Sequence, residues 1–198
     1  LSGGDILLIN RDIDGAAEDM RSKVWDDSAG SWSGAWTTID GNALDNTTFD
    51  PGFAASVNPN TGVIYLAYID WATTGTLGGN NDDVKTASYS ATSSTWTARA
   101  DVITNTTRGL SGVAVGVDIN TNTIYVGYSG RTTPATATTG NVYWKSSTNN
   151  MTGWSAETGP VNTLAEDIYG IDINTSNYDR LGLSWYGTTN DDMYIENV

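Results

Sequence analysis

Residues 63–70 read "VIYLAYID", residues 123–130 read "TIYVGYSG", and the two runs lie 60 residues apart. A third run, "RLGLSWYG" at 180–187, follows the second by 57 residues. Each is rich in β-branched and aromatic residues, and alternation of this kind puts one set of side chains on each face of a strand. Nowhere does the chain carry the 3.6-residue spacing of an amphipathic helix. A strand that recurs at a fixed interval is a repeat, and it dictates how the flanking segments divide.

Working outward, "FAASVNPNTG", "VAVGVDINTNT" and "YGIDINTSN" precede the three runs. "DVKTASYS", "NVYWKSST" and "DMYIENV" follow them, and "SKVWDD" near the N-terminus belongs with this second set. Trp36, Trp96 and Trp154 then open "AWTTID", "TWTARADVI" and "GWSAETGPV", at intervals of 60 and 58 residues. Four strand-like runs per period of about 60 residues mark a β-propeller blade, with strands A to D. The expected fold is all-β, a β-propeller segment of about three and a half four-stranded antiparallel blades. A partial blade at 1–49 supplies B, C and D, full blades occupy 50–108 and 109–166, and a partial blade at 167–198 supplies A, B and C. Propellers close with roughly four to eight blades, and uncovered strand edges invite pairing. The segment is therefore expected to be completed by further blades of a longer chain, or else by self-assembly with copies of itself.

The C–D hairpins carry a family resemblance. "KSSTNNMTGWS", "DDSAGSW" at 26–32 and "SYSATSSTW" at 88–96 resemble worn copies of the Asp-box, the S-x-D-x-G-x-T-W hairpin of sialidase-like (BNR-repeat) propellers. Asn149 stands at the Asp position, and the glycine and threonine are displaced. The resemblance implies a structural hairpin on the face away from the active site. The physics agrees, since a short polar side chain ties down turn N–H groups and the tryptophan packs between strands.

Composition closes off several chemistries. With no cysteine and no histidine, thiol nucleophiles, imidazole bases and zinc–histidine sites are excluded. A net charge of −14 with nine basic residues argues against a nucleic-acid partner. No apolar run is long enough for a membrane-spanning helix, so membrane insertion is not expected. The Ser/Thr/Asn/Gly-rich composition points to an extracellular or cell-surface setting. Sequons occur at Asn46, Asn105, Asn150 and Asn174, about as many as 18 Asn among 46 Ser and Thr give by chance.

In a propeller the B–C and D–A connections share one face. Those connections hold 14 acids and the three bases Arg11, Arg108 and Arg131, a net charge of −11 out of −14. The opposite turns, such as "NPNTG", are short and nearly neutral. Long connections with focused charge mark the acidic face as the working one. Three readings compete there, against solvated loop acids. Calcium binding would use Asp12, Asp14 and Glu18 of "DIDGAAED", with Asp82 and Asp83 of "NNDD" and Asp191 and Asp192 of "NDD", because D-x-D-G gathers hard oxygen ligands in a tight turn. Binding of a neutral glycan would use Trp71, Trp185 and Tyr186 as stacking faces, with inter-blade packing as the alternative. The family resemblance implies a third reading, sialidase catalysis. Arg11, Arg108 and Arg131 would grip a carboxylate, and Glu166 with Tyr169 would imitate part of the nucleophile pair. The surrounding acids oppose an anionic substrate. The expected function is thus a non-catalytic surface module that recognises a glycan or protein partner, calcium being the cofactor in view. The alternatives are a piece of a sialidase or glycoside hydrolase, and a filament or surface-layer subunit.

Overall fold

The computed structural model describes residues 4–12, 19–41, 52–70, 82–106, 109–131, 140–161, 168–176, 180–187 and 193–197. Every paired strand among them is antiparallel, and no helix occurs among the described residues. Sheet 1 comprises β1 (Ile6–Asp12), β2 (Asp19–Asp26), β3 (Ser31–Trp32) and β4 (Thr37–Asp40), the last two both lying on β2. Sheet 2 runs β5 (Phe53–Val57), β6 (Val63–Asp70), β7 (Asp82–Ser90), then β8 (Thr95–Ala98) and β9 (Ile103–Thr106), both on β7. Sheet 3 has β10 (Gly109–Asp118), β11 (Thr123–Arg131) and β12 (Gly140–Ser147). Its outer strand is the stretch 154–158, held to β12 by Trp144–Thr158 backbone bonds in both directions, each 3.0 Å. Sheet 4 contains β13 (Ile168–Ser176), β14 (Arg180–Gly187) and β15 (Met193–Asn197). The outermost strand, expected to be continuous, is broken into two pieces in sheets 1 and 2.

Register ties the sheets into one repeat. Leu8 faces Lys23, Leu66 faces Ala87 and Val126 faces Lys145, so these pairs are equivalent across three sheets. In sheets 3 and 4 the first hairpin shifts register at the same place, between Leu110 and Gly112 and between Ile168 and Gly170.

Each sheet has a front, toward its predecessor, and a back, toward its successor. Leu66, Tyr68 and Ala87 on the front of sheet 2 bury Met20 of sheet 1. Tyr65, Ala67 and Ile69 on its back form the largest core with Val113, Val115, Val126 and Tyr128. Ala114 and Val142 then meet Ile173, Leu183 and Trp185 of sheet 4. Alternation along β6 and β11 therefore feeds two cores at once, which makes their runs apolar on both faces.

Glycine sets the closeness of the third interface. A Cβ at Gly116 would stand 2.5 Å from Cγ2 of Ile173, and one at Gly127 would stand 3.1 Å from Cδ1 of the same residue. At the opposite-turn end, Asn58 Nδ2 donates to Asn122 Oδ1 at 2.9 Å and Asn60 Nδ2 to the Ile119 carbonyl at 2.8 Å, locking two A–B turns together.

The C–D hairpins are scaffolding built by varied means. Asp26 Oδ1 accepts from Ala29 N at 3.0 Å and Ser28 Oγ at 2.6 Å. In the third hairpin Ser147 Oγ, rather than Asn149, accepts the Met151 N–H at 3.0 Å, and Asn149 Oδ1 accepts from Ser147. Trp96 and Trp154 each reach back one sheet, donating Nε1–H to Ser22 Oγ and to the Ala100 carbonyl, both at 2.8 Å. The first member of this series is Trp32, not Trp36. Trp32 lies opposite Trp25 as Trp96 lies opposite Tyr89, and Ser33 bonds Val24 as Ser155 bonds Ser146. The sequence spacing chose Trp36 because the connection before it is four residues longer than the register requires.

Candidate functional site

The B–C end of sheets 1 and 2 collects charge because β1 and β6 both finish in aspartate. Asp12 faces Asp19, and Asp70 faces Asp83, one position beyond the last apolar pair of each hairpin. Two residues into the next strand stands a base, Arg21 in sheet 1 and Lys85 in sheet 2. Arg21 pairs with Asp12, and Lys85 Nζ lies 2.5 Å from Asp70 Oδ2. The same acid–base device thus occurs in successive sheets. Sheet 3 lacks it, having Gly130, Asn141 and Tyr143 at the corresponding places.

At sheet 2 the device becomes a network. Asp40, at the end of β4, crosses from sheet 1 and accepts from Lys85 Nζ at 3.2 Å and from Tyr68 OH at 2.8 Å. Lys85, Asp40 and Asp70 are largely covered, with side-chain exposures of 26%, 17% and 14%. Burial alone would lower the lysine pKa, but the hydrogen bonds and charges of Asp70 and Asp40 outweigh it and raise it. The Tyr68 hydroxyl is pushed far up, first by burial and then by Asp40, so it remains a donor. Asp101 completes the group. Burial and then the charge of Asp83 hold its carboxyl above the ordinary aspartate value, against the pull of Lys85. Four carboxylates share one ammonium, so the end is hydrogen-bond-rich and negative. Neither Lys85 nor Tyr68 has a shift that would make it a base near neutral pH.

Arg11 is 7% exposed and donates Nη2–H to the Ile69 carbonyl at 2.9 Å, tying sheet 1 to sheet 2. Asp82 is buried, and its Oδ2 accepts from Leu110 N at 3.2 Å. Trp185, expected as a stacking face, is 3% exposed in the core between sheets 3 and 4, while Tyr186 on the other side of β14 is 40% exposed. Alternation along the strand explains the difference: adjacent residues cannot both face outward. Tyr186, Gly170, Asp172 and Ser184 line a shallow depression of about 210 Å3 on the back of sheet 4. A larger cleft of about 430 Å3 lies at the outer strands of sheets 1 and 2, lined by Asp5, Lys23, Asp26, Ser33, Tyr89 and Ser94 among others. Trp71, Asp14, Glu18, Arg108, Glu166, Asp191 and Asp192 lie outside the described residues, as do the side chains of Arg131 and Tyr169. Among the described residues no three His, Cys, Asp or Glu side chains are gathered to hold a metal ion.

Sequence reasoning missed Lys85 and Tyr68. Lys85 looked equivalent to Lys145, yet register puts Lys85 opposite Tyr68 and Lys145 opposite Val126, two residues apart in the repeat. Lys145 instead donates to the Val102 carbonyl at 2.7 Å. A signal did exist, for "DMR" at 19–21 and "DVK" at 83–85 repeat an acid followed two residues later by a base.

No family model matches the chain, and no curated protein matches it. Solved structures do match in fold. A Penicillium chrysogenum alpha-L-arabinanase complexed with arabinobiose superposes with a TM-score of 0.65 at 13% identity, over 100% of this chain and 60% of its own. A protein of unknown function from Dyadobacter fermentans gives 0.64 at 12% identity, over 96% and 51%. A Hadza microbial sialidase gives 0.60 at 11% identity, over 91% and 38%. The chain thus spans between about two-fifths and three-fifths of the length of these structures. At such identities the likeness is one of fold, and that fold is the sialidase and glycoside hydrolase type of propeller.

Proposed function

We propose that the chain is part of an extracellular β-propeller that recognises neutral carbohydrate, without cleaving it, on the end formed by its B–C and D–A connections. The observation that carries this reading is the state of the carboxylates there. Asp40 and Asp70 are committed to Lys85 and Tyr68, and Asp12 to Arg21, so these acids are structural partners rather than a free acid and base. Three negative charges remain in excess around Lys85, which suits sugar hydroxyl donors and disfavours an anionic sialoside. That solved structures of the same fold include an arabinanase and a sialidase supports a carbohydrate setting. Calcium at the acidic connections, through Asp14 and its neighbours, would add oxygen ligation without chemistry.

A catalytic reading is favoured by one observation only, the raised carboxyl of Asp101, because a glycosidase needs a carboxylic acid that keeps its proton. One experiment separates the two. The native protein is applied to an array of neutral and sialylated glycans, then incubated with the glycans it retains. Retention of neutral glycans, weakened by the double variant Asp83→Asn, Asp101→Asn, with no release of reducing ends, is the expected result. Reducing ends that disappear with Asp101→Asn alone would establish the enzyme instead.

A further inference from the structure

The front of sheet 1 has no sheet against it, yet it repeats the front of sheet 2 residue for residue. Leu8 corresponds to Leu66, Arg21 to Lys85, Asp12 to Asp70, Trp25 to Tyr89 and Trp32 to Trp96. On sheet 2 these positions are covered: Leu66 is 0% exposed, Trp96 bonds Ser22, and Lys85 takes Asp40 from the preceding sheet. On sheet 1 Leu8 is 41% and Trp32 43% exposed, beside Ile6 at 56%. Such apolar surface on one sheet face is what an interface leaves when its partner is removed.

Charge says what the partner carries. Arg21 and Lys23, two of only nine bases in a chain of net charge −14, stand on this face with the Trp36 ring 4.6 Å and 5.6 Å from their cationic groups. Nε of Arg21 is buried with no hydrogen-bond partner among the described residues. The matching cation on sheet 2, Lys85, is satisfied by one carboxylate of its own sheet and one from the sheet before.

The other end of the chain does not supply that partner. On the back of sheet 3, Ala114, Gly116 and Ser129 admit the next sheet closely. Their counterparts on sheet 4 are Asp172, Asn174 and Tyr186, all exposed. A second copy stacked head-to-tail would press these polar groups against Leu8 and Trp32 and leave them unpaired.

We infer that the front of sheet 1 seats one further sheet of the same repeat, N-terminal to it in the same polypeptide. That sheet presents apolar residues to Leu8 and Trp32 and a carboxylate to Arg21, as Met20 and Asp40 do one interface later. Hydroxyl-radical footprinting of the intact native protein tests this, with Trp96 and Trp154 as internal references. Trp32 is expected to be as protected as Trp96 at every protein concentration. Leu8→Glu is expected to expose Trp32 while Trp154 stays protected. If that variant does not fold, the wild-type pattern alone decides. Full labelling of Trp32, protection lost on dilution as for a second copy, or protection that depends on a separable chain would each overturn the inference.

Discussion

Lys85 holds the acidic end together at the scale of a single residue, because Asp40 and Asp70 come from different sheets and would otherwise repel each other. Lys85→Met is expected to destabilise the protein by about 1–3 kcal/mol, the range for hydrogen bonds to charged groups, measured by urea unfolding at neutral pH. Its pKa is raised above 10.5 in the folded state, so its contribution is complete below that value and is lost as pH climbs through the folded value. The variant should therefore show a flatter alkaline limb than the wild type. Asp118 behaves oppositely. Burial would raise its carboxyl, but bonds from Thr121 and Asn120 outweigh that and lower it beneath 3.8. Its contribution is present above the ordinary aspartate value and is lost as pH falls through the folded one. Asp118→Asn should cost about 1 kcal/mol at neutral pH and flatten the acid limb below about pH 4. An undiminished acid limb in that variant would count against the turn bonds.

Interfaces between sheets dominate at the scale of the element. Gly116→Ala places a methyl group against Ile173 and is expected to destabilise by about 1–3 kcal/mol, the cost of overpacking. Combined with Ile173→Ala, the same substitution should cost less than the sum of the two, a coupling readable in a double-mutant cycle. Additive effects would mean the sheets do not meet there. Trp154→Ala is expected to cost about 3–5 kcal/mol, as for a large aromatic removed from a core. Elements of this kind were legible in the sequence to the extent that period and alternation show: strand order, four runs per repeat and the scaffolding role of the hairpin tryptophans. What stayed hidden depends on register. Trp36 was taken for Trp32, and Lys85 for the counterpart of Lys145, because hairpin length shifts cross-strand partners without altering the pattern of apolar residues. The burial of Trp185 was invisible for a similar reason, since "WY" in a strand does not say which of two adjacent rings faces the core.

For the whole molecule, four sheets stacked in chain order place nearly all the surplus negative charge at one end and tight, interlocked turns at the other. Millimolar calcium is expected to raise the thermal midpoint, and Asp14→Ala to remove that gain, in scanning calorimetry. An unchanged midpoint would leave the acidic connections simply solvated. The most direct test of carbohydrate recognition without cleavage is saturation-transfer NMR on the native protein, with arabinotriose, cellotriose and sialyllactose as probes. Transfer to a neutral oligosaccharide, none to sialyllactose, and no new reducing-end anomeric signals over a day is the result predicted. New anomeric signals, or transfer to none of the neutral probes, would contradict it.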